Sequence, residues 1–245
     1  MKTYLILSLC LFQLCFYSFT QAQNTETVQT DWIKALSEGG DLNAFYNDQS
    51  GILLNREVYL GASEIGQQLQ AYWEDDPLVR FEHQYVRQLR DQQKFESGIY
   101  ETKSGKLFQT IIGWQWKETW TKTFEVIHPL APDLNNDENI VDKGREKWVM
   151  HSNEHRPDLI AQQVFSASGK YFNRGKVYPQ SEIAGAYSYM NNENYVITLE
   201  PQMVKRVDER TVFEIGIFKV GGQGLYTLIW IKENNEWKLL LDFNF

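Results

Sequence analysis

Asn55–Leu69 reads NREVYLGASEIGQQL, and Asn173–Tyr187 reads NRGKVYPQSEIAGAY. Both open on Asn-Arg and reach Ser-Glu-Ile at the same spacing, 118 residues apart. Residues 55–112 set against 173–230 share more than these five. Glu82/Glu200, Gln84/Gln202, Val86/Val204, Phe95/Phe213, Glu96/Glu214, Gly98/Gly216 and Ile99/Ile217 also match, as do Leu107/Leu225 and Ile111/Ile229. Unrelated sequences of ordinary composition would agree at roughly 3–4 of these positions. Small changes of offset add Asp41-Leu42 with Asp158-Leu159, and Trp120 with Trp237. A period this long exceeds that of solenoid repeats and equals a whole domain. The chain therefore reads as a tandem duplication.

The ends bound the rest. Lys2, an apolar run over Tyr4 to Phe19, and the small residues Thr20 and Ala22 form a secretory signal peptide over residues 1–22, with cleavage expected after Ala22. The run is shorter than the ~20 residues a spanning helix needs. The expected localisation is secreted or periplasmic, with no membrane attachment after cleavage. Cys10 and Cys15, the chain's 2 cysteines, both lie in that segment, so the exported chain has no disulfide, thiolate ligand or cysteine nucleophile. Without Lys2 it carries 23 basic against 32 acidic residues, a net charge of 23 − 32 = −9, which disfavours a nucleic-acid partner. The 8 Trp, 13 Tyr and 14 Phe supply core, and could also line an apolar pocket.

Each half predicts helices first and strands after. Trp32, Ile33 and Leu36, then Leu42, Phe45 and Tyr46, recur at helical spacing around Gly39-Gly40, with Asp41 as cap of a second helix. A third helix runs from Ser63, its expected cap, to Trp73. In the second half MVKRV, TVFEIGIFKV, GLYTLIWIKE and EWKLLLDFNF read as strands joined by turns at Asp208-Glu209, Gly221 to Gly224 and Asn234-Asn235. Pro, Asn and Asp gather in LAPDLNNDENIVDKG, Leu130 to Gly144. The expected division is domain 1 over 24–130, a linker over 131–144 and domain 2 over 145–245. The fold class is α+β: two tandem domains, each with about three N-terminal helices on a curved antiparallel sheet.

GGDLNAFYND (Gly39 to Asp48), GASEI (Gly61 to Ile65) and YTLIWIKENNEWKLLLDFN (Tyr226 to Asn244) resemble nuclear-transport-factor-2-like domains, the last most similar to the polyketide-cyclase-like (SnoaL-like) branch. The resemblance implies a cone-shaped fold whose sheet wraps a helix and can enclose a pocket. It also implies pairing through the open sheet face, either within this chain as a pseudo-dimer or between copies as a homodimer. Ketosteroid-isomerase-like members carry an Asp base at a place that falls on Leu54 here and near Phe172 in the second copy; neither can take a proton.

Candidate site residues follow from the repeat and the resemblance. Asp242, with its counterpart Glu125, ranks first as a polar pocket group, because the acid at this place in related domains often points into the cavity. Leu240, Asp242 and Asn244 are expected on one strand face, opposite Leu239, Leu241 and Phe243. His83 faces Pro201 across the repeat and is a candidate acid/base against the plainer reading of a strand histidine. Tyr59, Tyr178, Trp116 and Trp230 are candidate pocket walls, with core packing as the simpler account. Glu82/Glu200 and Glu96/Glu214 read first as structural charges. His151-Ser152-Asn153-Glu154-His155 matches a zinc-protease spacing, but Arg156-Pro157 ends the helix at once, so no metal is expected. Phosphate-loop, dinucleotide, nucleophile-elbow and calcium-loop motifs are missing, and no cofactor is expected. Two functions remain open: a non-catalytic module binding a small apolar ligand or a partner, or a cofactor-free isomerase, lyase or cyclase acting on a small apolar or polyketide-like substrate.

Overall fold

A computed structural model of the chain describes residues 24–132 and 134–245; the signal peptide expected over residues 1–22 lies outside the described residues. The first half contains α1 (Asn24–Ser37), β1 (Gly51–Leu54), β2 (Glu57–Leu60), α2 (Ala62–Trp73) and β3 to β6 (Leu78–Arg90, Gln93–Thr102, Leu107–Trp116, Trp120–Pro129). The second contains α3 (Asp142–Asn153), the short α4 (Pro157–Leu159) running into a π-turn at Ile160–Val164, β7 (Phe165–Asn173), β8 (Lys176–Pro179) and α5 (Gln180–Ala186). A 3-10 turn (Ser188–Asn191) and β9 to β12 (Thr198–Arg206, Thr211–Lys219, Gln223–Glu233, Glu236–Asn244) complete it.

The two sheets have one topology, β2-β1-β6-β5-β4-β3 and β8-β7-β12-β11-β10-β9. Each is an antiparallel meander whose last strand takes up a parallel partner, β1 against β6 and β7 against β12. Both carry a register shift at the same place, between Gly113 and Trp114 and between Ile229 and Trp230. The α+β duplication is thus present in the fold.

Four expectations need correction. Residues 39–49 form turns, not a second helix; the Asp41 carboxylate accepts from the Asn43 N–H at 2.8 Å as a turn, and two adjacent glycines offer a helix little support. Ser63 and Ser181 do not cap: the N-caps are Gly61 and Pro179, and Glu64 instead accepts from the Leu60 N–H at 3.2 Å. The Asn-Arg match is out of step by one. Asn55 and Arg56 occupy the β1–β2 turn with positive φ, whereas Arg174 and Gly175 hold those places between β7 and β8. Leu107/Leu225 and Ile111/Ile229 are likewise out of register. Glu96 pairs with Ile112 and Glu214 with Leu228, so β5 and β11 correspond at an offset of 116, the first copy's hairpin loop being longer.

Aromatic residues fill the space between the two sheets. Phe124 of β6 stacks on Phe243 of β12, centroids 4.5 Å apart, and Phe172 lies 5.3 Å from Phe243. Leu53, Val126, Phe213 and Leu241 join them in one buried cluster. Gly51 must be glycine here, because a Cβ would stand 2.9 Å from the Phe172 ring. At the edge His128 Nε2 meets Asp208 Oδ2 at 2.5 Å, and the Ala131 N–H donates to the Val207 carbonyl at 2.9 Å. The opposite sheet faces turn toward the helices of their own halves and form two further clusters.

The register shift in β12 also corrects the expected faces. Leu240 is the extra residue, so it joins Leu241 and Phe243 between the sheets, while Leu239 packs with the helix-side core. Asp242 keeps its place on the helix side. Thr123 does the same in β6 and puts Lys122 and Glu125 on one face.

Candidate functional site

The helix-side face of the second sheet encloses a cavity of about 260 Å³. Trp148 of α3, Tyr171 of β7, Tyr189 of the 3-10 turn, Tyr195 of the loop after it and Tyr226 of β11 form its walls, and Asp242 of β12 lies among them. Gly216 positions Tyr226: a Cβ there would stand 2.3 Å from the Tyr226 ring, so only glycine lets the ring lie across β10. The Tyr226 hydroxyl is anchored behind the wall by donating to Glu214 Oε1 at 2.6 Å.

Asp242 is 3 % exposed and accepts a hydrogen bond from the Tyr187 hydroxyl. Tyr187 stands at the C-cap of α5, where the helix stops after 7 residues. Burial pushes the Asp242 carboxyl up to about 7; the Tyr187 hydrogen bond pulls the other way. The residues lining the cavity include no Lys, Arg or His. Burial also raises the Tyr171 phenol to about 12, with the nearby Asp242 charge adding to it. The Tyr171 hydroxyl accepts from Asn173 Nδ2 at 2.7 Å. Burial raises Tyr189 and Tyr195 as well, with the neighbouring Tyr171 next for Tyr189 and the Asp242 charge next for Tyr195.

The first half fills this place with its own side chains. Glu125, fully buried, accepts from the Tyr46 hydroxyl at 2.6 Å, the Tyr100 hydroxyl at 2.5 Å and Lys122 Nζ at 3.1 and 3.2 Å. Lys122 Nζ lies 3.3 Å from the Trp32 ring centroid, with the rings of Tyr46, Tyr100 and Trp114 at 5.7–5.8 Å. Burial lowers the Lys122 ammonium to about 8 against the pull of Glu125, so it stays charged at neutral pH. Gln29 Nε2 donates to the Tyr100 hydroxyl at 2.6 Å and closes the network.

Strand pairing gives the correspondence residue by residue. Ile112 pairs with Glu125 as Leu228 pairs with Asp242; Trp114 pairs with Lys122 as Trp230 pairs with Leu239. Gly39 and His155 both leave the first helix of their half with positive φ, which sets Trp32 opposite Trp148. The α2 and α5 starts, 118 residues apart, set Leu69 opposite Tyr187. The second copy thus has Leu239 for Lys122, Phe218 for Tyr100 and Thr227-Leu228 for Ile111-Ile112. The first carboxylate is saturated by four hydrogen bonds from three side chains, while the second has one and a cavity.

The other candidates sit elsewhere. Glu214 is tied to Arg145 at 2.7 and 3.1 Å and to Trp230 Nε1 at 2.9 Å, and Glu96 accepts from Trp114 Nε1 at 2.7 Å, so the shared carboxylates brace the scaffold. His83 of β3 contacts Glu96, which raises the imidazole while burial lowers it less; it lies outside the Asp242 cavity. Trp230 is buried core, and Trp116 packs edge-on against Trp120 at 5.5 Å. Tyr178 stacks on Tyr171 at 5.7 Å, one layer behind the cavity wall; Tyr59 packs half-buried at the rim of the first core. Glu82 and Glu200 are surface charges near Arg80 and Lys219. His151 faces Glu154 and Gln163, while His155 bonds the Met190 carbonyl at 2.7 Å, so the two rings diverge. Tyr187, Tyr189, Tyr195, Trp148 and Lys122 were missed. Trp114/Trp230 and Trp32/Trp148 were detectable, each pair recurring at 116 residues.

No protein-family model matches the chain, and no curated protein does. Solved structures resemble it in fold. An NTF-2-like protein of unknown function from Shewanella oneidensis is 14% identical over 43% of this chain and 96% of its own, with a TM-score of 0.39. An NTF2-like protein from Cytophaga hutchinsonii is 12% identical over 44% and 96%, TM-score 0.36. A domain of unknown function with a cystatin-like fold from Nostoc punctiforme is 13% identical over 58% and 96%, TM-score 0.40. The chain consists of two tandem α+β halves, each with helices on one face of a six-stranded sheet of the same topology.

Proposed function

We propose that this is an exported protein whose second domain binds a small, mostly apolar ligand, and whose first domain is a closed partner held against it. The observation that carries the reading is the contrast between two equivalent carboxylates: Glu125 is enclosed by its own Lys122, Tyr46 and Tyr100, while Asp242 borders a cavity of about 260 Å³ with Tyr187 as its hydrogen-bond donor. Aromatic walls with a single charged anchor suit a ligand that is apolar over most of its surface. The aromatic packing between the sheets supports an intrachain pair in place of a homodimer. The apolar run Tyr4 to Phe19 supports export.

Native mass spectrometry of the protein purified from its producing cells tests the reading. A retained small organic molecule that is lost or weakened in Asp242→Asn supports it; a chain that carries none and takes up none from an extract of those cells contradicts it. One observation favours the catalytic alternative, a cofactor-free isomerase, lyase or cyclase. A carboxyl held at about 7 can give or accept a proton near neutral pH. Turnover of the retained molecule by the wild type and its loss in Asp242→Asn would select that alternative.

A further inference from the structure

The first domain shows what its scaffold holds beside the repeat's carboxylate. An ammonium group, Lys122 Nζ, sits 3.1 Å from Glu125 and 3.3 Å from the Trp32 ring centroid, with three more aromatic rings within 6 Å. This is an aromatic cage with a carboxylate at its base, occupied by a side chain of the same chain. The second domain sets a largely different group of aromatic residues around the equivalent carboxylate and has no lysine among them. Trp148 stands for Trp32, Asp242 for Glu125, and Tyr171, Tyr189, Tyr195 and Tyr226 complete the wall, but Leu239 replaces Lys122.

We infer that the second cavity binds a small organic ammonium ion, whose cationic nitrogen takes the place beside Asp242 and the aromatic wall that Lys122 Nζ takes beside Glu125 and Trp32. The inference rests on the reading of this cavity as a ligand site. Asp242 is the one charged residue lining it, and a buried carboxylate without a counter-ion is costly. The groups facing it are the phenols of Tyr187 at the end of α5, Tyr171 on β7, Tyr189 and Tyr195 beyond α5, and Tyr226 on β11. All are neutral near pH 7. On α3, Arg145 is committed to Glu214 and Asp142. A cationic ligand therefore supplies the missing charge, and its binding below pH 7 drives a proton off Asp242.

Calorimetric titration with choline and with its neutral isostere 3,3-dimethylbutan-1-ol separates charge from shape. At pH 8 choline is expected to bind about tenfold or more tighter than the alcohol. At pH 6.5 choline binding is expected to release protons, seen as a dependence of the heat on the buffer's ionisation enthalpy. Asp242→Asn, close in shape, is expected to erase the preference; Leu239→Lys, which restores the first domain's own occupant, is expected to abolish choline binding while circular dichroism stays unchanged. Equal or tighter binding of the alcohol, or a preference that survives Asp242→Asn, overturns the inference and leaves the cavity as a site for neutral ligands. Binding of neither compound at millimolar concentration overturns the inference and removes the cavity reading for ligands of this size.

Discussion

Lys122 and Leu239 occupy the same place on the last strands of their sheets, each opposite a tryptophan, Trp114 or Trp230, beside the same bulge. One substitution between copies decides whether the carboxylate three residues on is neutralised from within. Both residues are fully buried.

Lys122→Leu therefore copies the second domain into the first and strands Glu125 among Tyr46, Tyr100 and Trp32. Removing one member of a buried pair costs about 3–5 kcal/mol. Urea unfolding at pH 7 is expected to show that loss, and Lys122→Leu/Glu125→Leu to recover most of it. A double variant as unstable as the single one would mean that packing, not the stranded charge, carries the cost.

Asp242 makes stability fall as pH rises. Folded, its carboxyl keeps a proton up to about 7; unfolded, it releases it near the ordinary 3.8. Between these values the folded state binds more protons, so stability declines by up to about 1.4 kcal/mol per pH unit and levels off above 7. Asp242→Asn, always neutral, is expected to remove this decline. The readout is the midpoint of thermal unfolding from pH 4.5 to 8 for both proteins, and parallel curves would contradict the assignment.

Asp208 acts with the opposite sign at the junction of the halves. Burial raises its carboxyl, but hydrogen bonds from His128, the Arg210 N–H and Thr211 outweigh it and hold it at about 2. Its contribution is present above pH 3.8 and is lost as pH falls toward 2. Asp208→Asn is expected to weaken the native protein at pH 5–7 and to narrow the gap to wild type near pH 2.5, by urea titration at each pH.

The Phe124–Phe243 stack gives the proposed intrachain pair its energetic test. Phe243→Ala empties the centre of the packing between sheets and is expected to cost about 3–5 kcal/mol. If the halves hold each other, the variant also unfolds in two steps by differential scanning calorimetry. A loss confined to one step, with no change in cooperativity, would make the stack a feature of the second sheet alone.

The duplication and the α+β order were legible because strand alternation and the recurring Glu96/Glu214 and Gly98/Gly216 survive a comparison without gaps. Asp242 and Glu125 were legible as a pair because the offset that matches Trp120 with Trp237 also matches them. The rest of the site was not. Tyr189 and Tyr195 line the cavity, and Tyr187 reaches Asp242, where α5 stops after 7 residues while α2 runs for 12, and nothing local in QSEIAGAY announces that stop. Lys122 looked like an ordinary strand lysine; its burial depends on Trp32 and Tyr100, distant in sequence. The phrase repeated at Asn55 and Asn173 marks scaffold in both copies, and the functional difference lies at its last letter, Leu69 against Tyr187.

The claim that one domain is open and the other closed is tested most directly by the stoichiometry of choline bound at saturation, by native mass spectrometry of wild type and Leu239→Lys. The account predicts one choline per wild-type chain and none on the variant. Two per chain, or one that persists in Leu239→Lys, would contradict it.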